Sequence, residues 1–184
     1  MATGSSRTVE VDEVLLARAR RGDLEALEAL YRRFEIPVYT VVRRLCGCDD
    51  RARDALQETF LELVRSIRRY RGDGPFWGWL RRIAASKAVS RLRRREPESL
   101  DVDLRADDSA EVVPADLRVD LERALDRLPD VARAVVWLHD VEGFTHAEIA
   151  RLMDRSESFS KSQLARAHRR LRGWLSSDAA RSAS

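Results

Sequence analysis

The sequence predicts an all-α protein of two small helical domains joined by an acidic, flexible linker. Its 184 residues include only five prolines and eight glycines, which disfavours a loop-rich β protein. Apolar residues recur at steps of three and four along most of the chain, which is the spacing of a helix face. The stretch 96–116 lacks this spacing and carries eight acidic residues against one arginine, so it is expected to separate the domains.

The first domain, assigned to residues 10–95, is expected to contain four helices. A short helix is predicted from Val11 to about Arg20, before a break at Gly22 and Asp23, and Asp23 can cap the next helix. That second helix has a long apolar face, and Pro37 predicts a kink in it.

The third helix is predicted to begin near Asp50, and the fourth to follow a glycine-rich turn. Pro75 suits the first position of the fourth helix, which ends in the arginine run 93–95. Phe76 and Trp79 share the three-and-four spacing of the apolar residues that follow them, which predicts that both lie in the core.

The second domain, assigned to residues 117–176, has the layout of a helix-turn-helix. Thr145 and Glu148 can form a capping box at the start of a short helix, which is expected to break near Asp154. Ser156 can cap a longer, basic helix that follows it and runs to about Trp174. A short helix, a tight turn and a longer basic helix are typical of DNA-binding domains, although other helical hairpins share this spacing.

Charge is unevenly distributed, although the net charge is only +3. The stretch 65–95 carries eleven arginines and lysines, and Asp73 is its only acid. Such a stretch can hold a polyanion such as a nucleic acid. Arginine-rich helix surfaces are common, so the charge alone does not establish this function.

Composition disfavours export and membrane insertion. No apolar run approaches the roughly 20 residues needed to cross a bilayer, and residues 1–8 lack the apolar core of a signal peptide. Cys46 and Cys48 are too few for a zinc site or a disulfide framework. These features predict a cytoplasmic protein.

An enzyme is the alternative from a different functional class. The nearest candidate for a metal site is a group of four polar residues that matches no usual ligand spacing and is better explained as a surface set. Its members are His139, Asp140, Glu142 and His146. The chain has no phosphate-binding loop and no nucleophile elbow, so we predict neither catalysis nor a cofactor.

Two long motifs carry a resemblance to a known family. Residues 54–61 and 70–84 resemble the second domain of extracytoplasmic-function (ECF) sigma factors of bacterial RNA polymerase. Residues 128–150 and 161–167 resemble the fourth domain of the same proteins. The resemblance covers about residues 10–95 and 117–175, with the motifs in the family's order, and is therefore much more specific than one helix-turn-helix.

The resemblance implies a sigma factor that binds core RNA polymerase and directs it to specific promoters. Its second domain would dock on the β′ subunit through Asp54, Gln57 and Glu58. The same domain would capture the melted −10 element, because basic grooves bind phosphates and aromatic faces hold unstacked bases. The residues implied for this contact are Tyr70, Arg71, Trp77, Arg81, Lys87 and Arg91.

The fourth domain would place its last helix in the major groove of the −35 element. The residues implied near bases are Glu157, Ser158, Lys161 and Ser162, and those near phosphates are Arg133, Thr145, Arg155 and Arg166. The acidic linker would thread the polymerase channel that later carries RNA, which accounts for its negative charge.

Arg53 is the first departure from the family pattern, because an acid usually precedes Asp54. This change predicts weaker or conditional docking on polymerase. As a hypothesis, phosphorylation of Thr59 would supply the missing negative charge. Control by a kinase, by an anti-sigma factor or by synthesis alone is left open.

The other departures concern DNA recognition. Ser86 and Ser90 replace the Asn and Asp common in the fourth helix, which leaves promoter preference open. Asp154 replaces the turn glycine, but aspartate tolerates left-handed geometry. Ser160 replaces a β-branched apolar residue, while Phe159 is added, so the recognition helix is expected to pack differently.

Two further alternatives remain besides an enzyme. A stand-alone helix-turn-helix repressor would account for residues 145–174 but would leave the basic, aromatic first domain without a role. It would bind duplex DNA alone, whereas a sigma factor needs polymerase. An adaptor that binds only proteins is disfavoured by basic helices in both domains.

Overall fold

A computed structural model describes residues 11–95 and 117–182, with side chains described for 11–94 and 121–176. The predicted linker 96–116 lies outside the described residues. Every regular element within the described ranges is helical, which confirms the all-α class. The chain divides into two compact units: the first contains the residues up to 88 except 44–47, and the second contains the others.

Four α-helices and a 3₁₀ turn belong to the amino-terminal part of the chain. They are α1 (Glu13–Arg20), α2 (Leu24–Cys46), α3 (Asp49–Ser66), the turn Ile67–Arg69 and α4 (Phe76–Arg95). Asp23 caps α2 as predicted, because its Oδ1 accepts hydrogen bonds from the amides of Glu25 and Ala26 at 3.0 and 3.2 Å.

The core of the first unit lies between α2 and the helices that pack on it. Leu30, Phe34 and Val38 of α2 are fully buried, as are Leu63 of α3 and Leu80 of α4. This apolar face repeats every three or four residues, which is why the periodicity predicted it. Helix α2 is continuous through Pro37, because its apolar face packs against the core on both sides of this residue. The kink predicted at Pro37 therefore does not divide the helix in two.

The second unit contains the predicted helix-turn-helix. Its elements are α5 (Leu117–Asp126), α6 (Asp130–Val136), a π-helical turn (Trp137–Val141), α7 (His146–Met153) and α8 (Glu157–Ser182). The capping box is present: Thr145 Oγ1 accepts from the Glu148 amide at 3.2 Å, and the Thr145 amide donates to Glu148 Oε2 at 2.9 Å. Asp154 takes the left-handed conformation that the turn requires, with φ of 57°.

The recognition helix α8 packs on α7 through an apolar face that includes Leu164, Ala167 and Leu171. Ser156 caps it by accepting from the Phe159 amide at 3.1 Å. The helix continues to Ser182, eight residues beyond the expected end near Trp174, because no proline or glycine follows Gly173.

Candidate nucleic-acid and polymerase interfaces

A pocket of about 510 Å³ lies where the glycine-rich turn meets the start of α4. We call it the turn pocket. Its walls combine four arginines with two aromatic rings, which is the chemistry that binds an unstacked base together with its phosphates. The lining residues are Arg69, Tyr70, Arg71, Asp73, Gly74, Pro75, Gly78, Trp79, Arg81 and Arg82.

Tyr70 forms the floor of the turn pocket. Its ring is buried and makes an edge contact with Phe76, with centroids 5.4 Å apart, and it lies 5.3 Å from the ring of Trp79. The hydroxyl donates to the Gly74 carbonyl at 2.5 Å, which ties the glycine-rich turn to the core. Burial raises the pKa of Tyr70, so the phenol stays a hydrogen-bond donor at neutral pH.

The two tryptophans of α4 are both partly buried. Trp79 was predicted in the core, but it forms part of the turn pocket. Trp77 is partly exposed, and its ring also stacks on Phe34 of α2, with centroids 5.8 Å apart and planes 8° apart. Trp79 is therefore the tryptophan that lines the pocket, and a contact of Trp77 with the −10 element stays a prediction.

The basic residues expected to contact the −10 element lie near or along α4. Arg71 is exposed at the rim of the turn pocket, and Arg81 belongs to its lining. Arg91 is half-buried on α4. Lys87 pairs with Glu62 of α3, with Nζ 3.0 Å from Oε2, so a phosphate would have to compete with this carboxylate.

The expected polymerase-docking residues share one face of α3. Asp54 and Gln57 are exposed and Glu58 is half-exposed. The sequence analysis missed Leu61 and Val64, which continue the same face and are 48% and 52% exposed. We call these five residues the α3 stripe; exposed leucine and valine beside acids suit a protein partner.

Thr59 lies on the opposite side of α3 and is fully buried. Its hydroxyl donates to the Ala55 carbonyl at 2.6 Å. The hypothesis of a phosphoryl group at this position is therefore wrong for the folded domain, because helix α3 would have to open before a kinase could reach the hydroxyl.

The residues expected near bases share the exposed face of α8. Glu157, Ser158, Lys161 and Ser162 are all exposed, and Lys161 Nζ lies 3.9 Å from Glu157 Oε2. Ser160 is turned inward and is fully buried. Its hydroxyl bonds His146 Nδ1 at 2.9 Å, so this serine replaces apolar packing by a hydrogen bond between the two helices of the motif.

The four residues expected near phosphates differ in exposure. Thr145 and Arg155 are exposed, and Arg166 is half-buried with its Nε donating to the Ser162 carbonyl at 3.3 Å. Arg133 is buried, and its guanidinium pairs with Asp130. A phosphate contact by Arg133 would require this guanidinium to turn outward and stays a prediction.

The three histidines of the chain meet around Asp140. His139 Nδ1 lies 2.8 Å from one carboxylate oxygen and His168 Nε2 lies 2.6 Å from the other, while the rings of His139 and His146 stack 4.5 Å apart. Among the described residues, no group of three or more His, Cys, Asp or Glu side chains has an arrangement that could hold a metal ion.

None of the described helices is both long enough and apolar enough to span a membrane.

Comparison with known proteins gives the family of the chain. Residues 30–98 match the model of sigma-70 region 2, and residues 118–171 match sigma-70 region 4. The chain is 30% identical over 172 residues to the ECF RNA polymerase sigma-E factor of Escherichia coli (strain K12), covering 85% of this chain and 90% of that protein. The chain belongs to the ECF sigma factor family.

Another relative agrees with this assignment, and two solved structures share the fold. The sigma factor is 35% identical over 177 residues to the ECF RNA polymerase sigma factor SigE of Mycolicibacterium smegmatis, covering 88% of this chain and 68% of that protein. Its fold resembles that of CnrH in complex with the cytosolic domain of CnrY, with TM-score 0.53, 24% identity, and 91% and 98% coverage. It also resembles RpoE of Bartonella quintana in complex with the anti-sigma factor NepR, with TM-score 0.54, 23% identity, and 83% and 98% coverage.

Membership of the ECF sigma factor family establishes the general activity of the chain. The sigma factor binds core RNA polymerase and promoter DNA and acts in promoter-directed transcription initiation. The repressor and adaptor alternatives are thereby set aside, because neither accounts for a match to both sigma regions.

Proposed function

We propose that the turn pocket takes up an unpaired base of the −10 element. The observation that carries the proposal is the pairing of aromatic walls, Tyr70 and Trp79, with arginines at the rim. Stacking on an aromatic side chain contributes about 1–3 kcal/mol per base, and the arginines neutralise the flanking phosphates. Arg81, Lys87 and Arg91 then follow the strand along α4.

The α3 stripe is the proposed docking surface for the β′ subunit. Its acidic residues supply charge and its exposed leucine and valine supply apolar area, a combination suited to a helical partner. Arg53 is exposed beside Asp54, so it adds a positive charge at one end of the stripe.

The exposed face of α8 is proposed to read the −35 element in the major groove. Lys161 can donate to guanine acceptors and Glu157 can accept from cytosine, which are the pairings that major-groove geometry favours. Thr145, Arg155, Arg166 and, after turning outward, Arg133 would contact phosphates.

The proposed domain limits are 10–95 for the −10 and polymerase domain and 117–176 for the −35 domain, with 96–116 as the acidic linker. No catalytic group is assigned to the chain, because polymerase itself forms the phosphodiester bonds. Core polymerase works in the cytoplasm of bacteria, and we place the chain there. The complex of RpoE of Bartonella quintana with the anti-sigma factor NepR supports an anti-sigma factor as the regulator of this chain.

Run-off transcription with core polymerase and a library of upstream DNA fragments tests these assignments. We expect transcripts that require the protein and share two upstream elements. Trp79→Ala should reduce opening of the selected promoters at least tenfold while polymerase binding is kept, and Leu61→Ala/Val64→Ala should weaken polymerase binding. Arg32→Ala serves as the control, since among the described residues Arg32 pairs only with Glu28, on the outside of α2. Full activity of the Trp79 variant would contradict the pocket assignment.

A further inference from the structure

The end of α1 lies against the turn that forms one wall of the turn pocket. Helix α1 packs on the Ile67–Arg69 turn, and Arg68 Nε donates to the Arg20 carbonyl at 3.2 Å. The guanidinium carbon of Arg20 lies 5.4 Å from the centre of the Tyr70 ring. The last turn of α1 is therefore fixed beside the floor of the pocket, although the sequence analysis gave α1 no role.

The arginines at this junction fall into two groups. Arg18 is neutralised by Asp23 at 2.6 Å and Arg20 by Glu13 at 2.9 Å. By contrast, within the part of the chain that the structure describes, Arg21, Arg68 and Arg69 make no ion pair, and all three are exposed. These three are called the α1 junction.

The three unpaired arginines extend from the turn pocket to the end of α1. Arg69 belongs to the pocket lining, Arg68 is its neighbour and reaches the end of α1, and Arg21 follows directly after that helix. An array of unpaired guanidiniums beside a base pocket is the arrangement that binds the backbone of a single strand. A duplex or an acidic protein would not need the array to be continuous with a pocket lined by Tyr70 and Trp79.

We propose that the α1 junction binds the phosphates of the nucleotides next to the base held in the turn pocket. This inference rests on the proposed function of the pocket and extends it to a helix outside the basic stretch 65–95. The ligand is single-stranded DNA, and the contact is to its backbone, so it contributes affinity to promoter melting without sequence preference.

The test measures the binding of reconstituted holoenzyme to a fluorescent single-stranded oligonucleotide that carries the selected −10 sequence, at several KCl concentrations. The slope of log K against log salt is negative, and each lost phosphate contact on a single strand reduces its magnitude by about 0.7. We therefore expect a decrease of about 0.7 for Arg21→Ala and about 1.4 for Arg21→Ala/Arg68→Ala. Arg32→Ala should leave the slope unchanged.

Arg21→Ala is the decisive variant, because the exposed Arg21 side chain has no hydrogen bond or ion pair with any other residue that the structure describes. Arg68→Lys keeps the positive charge but loses the hydrogen bond from Nε to the Arg20 carbonyl. Because the proposed contact depends on charge, this variant should have the same salt dependence as the wild type. Unchanged slopes in Arg21→Ala and in the double variant, with binding still lost in Trp79→Ala, would overturn the α1 junction alone. Failure of the wild-type holoenzyme to bind the oligonucleotide would overturn the pocket as well.

Discussion

Tyr70 connects the core of the first unit to its binding surface through one hydrogen bond. The hydroxyl donates to the Gly74 carbonyl, and the ring packs against Phe76 and Trp79. Gly72 has φ of 84°, so the turn depends on residues of low steric demand and needs an anchor to keep one conformation. The hydroxyl of Tyr70 provides that anchor.

Tyr70→Phe should therefore weaken promoter binding even though it keeps the aromatic ring on which a base would stack. The variant keeps the ring and loses the bond to Gly74, which lowers the free energy of unfolding by about 1 kcal/mol. Urea denaturation measures this loss, and promoter opening by the holoenzyme should fall in parallel because the turn is no longer held. Tyr39→Phe is the matched control, since its hydroxyl bonds Asp49 on the surface. Equal stability of Tyr70→Phe and wild type would show that the turn is anchored by other contacts.

His146 makes the stability of the second unit depend on pH. Partial burial, then the neighbouring His139 and Lys161, lower the pKa of His146 below its ordinary value of 6.5. As the pH falls, His146 is protonated in the unfolded chain before it is protonated in the folded chain. The folded state therefore keeps its full stability above pH 6.5 and loses part of it as the pH falls from 6.5 towards the lowered pKa of the folded state.

Urea unfolding between about pH 8 and about pH 5 should show this loss for the wild-type chain. His146→Gln keeps a polar partner for Ser160 but does not titrate, so its dependence on pH should be flatter over the same range. An identical slope in both proteins would assign the effect to other groups.

At the scale of elements, helix α7 depends on its capping box for a defined start. It has only eight residues, too few to be stable alone, and it positions α8 through Ile149 and Met153. The residue at which α7 begins therefore affects the position of the recognition helix α8.

Thr145→Ala should lower the free energy of unfolding of the second unit by about 1 kcal/mol, because an N-cap hydroxyl is lost. Thr145→Ser keeps the cap and should retain stability. Thermal unfolding followed by circular dichroism separates the two variants. If both weaken −35 binding equally while Thr145→Ser is stable, Thr145 acts on phosphates and its cap is secondary.

The helices show what the sequence can and cannot predict. Periodicity and caps predicted the fold class and the starts of α2, α7 and α8, because burial of an apolar face and capping are local properties. The role of Trp79 could not be predicted, since its spacing fits the core and only the packing of Tyr70 and Phe76 leaves one side of it open. The burial of Thr59 and the exposure of Leu61 and Val64 also depend on how α3 packs. The local sequence carries no signal that predicts the π-helical turn Trp137–Val141.

At the scale of the whole molecule, charge is divided between basic helices and the acidic stretch 96–116. If that stretch enters a basic channel of polymerase, its attraction is electrostatic and screened by salt. Changing its eight acids to Asn and Gln should weaken holoenzyme formation several-fold at low salt and little at high salt. A shuffled stretch of the same composition should behave as wild type in a fluorescence titration with core polymerase. A loss in the shuffled chain would indicate that sequence, and not charge, is recognised.

The floor of the turn pocket is also part of the hydrophobic core, and this limits how the protein can evolve. Loss of the aromatic ring of Tyr70 or Phe76 would strongly destabilise the domain, whereas Arg71, Asp73 and Arg82 at the rim are exposed, so their replacement would change binding more than stability. New promoter preferences should therefore arise by exchange of rim residues over an unchanged aromatic floor. A gene duplicate could acquire a separate set of target promoters in this way without passing through an unstable ancestor.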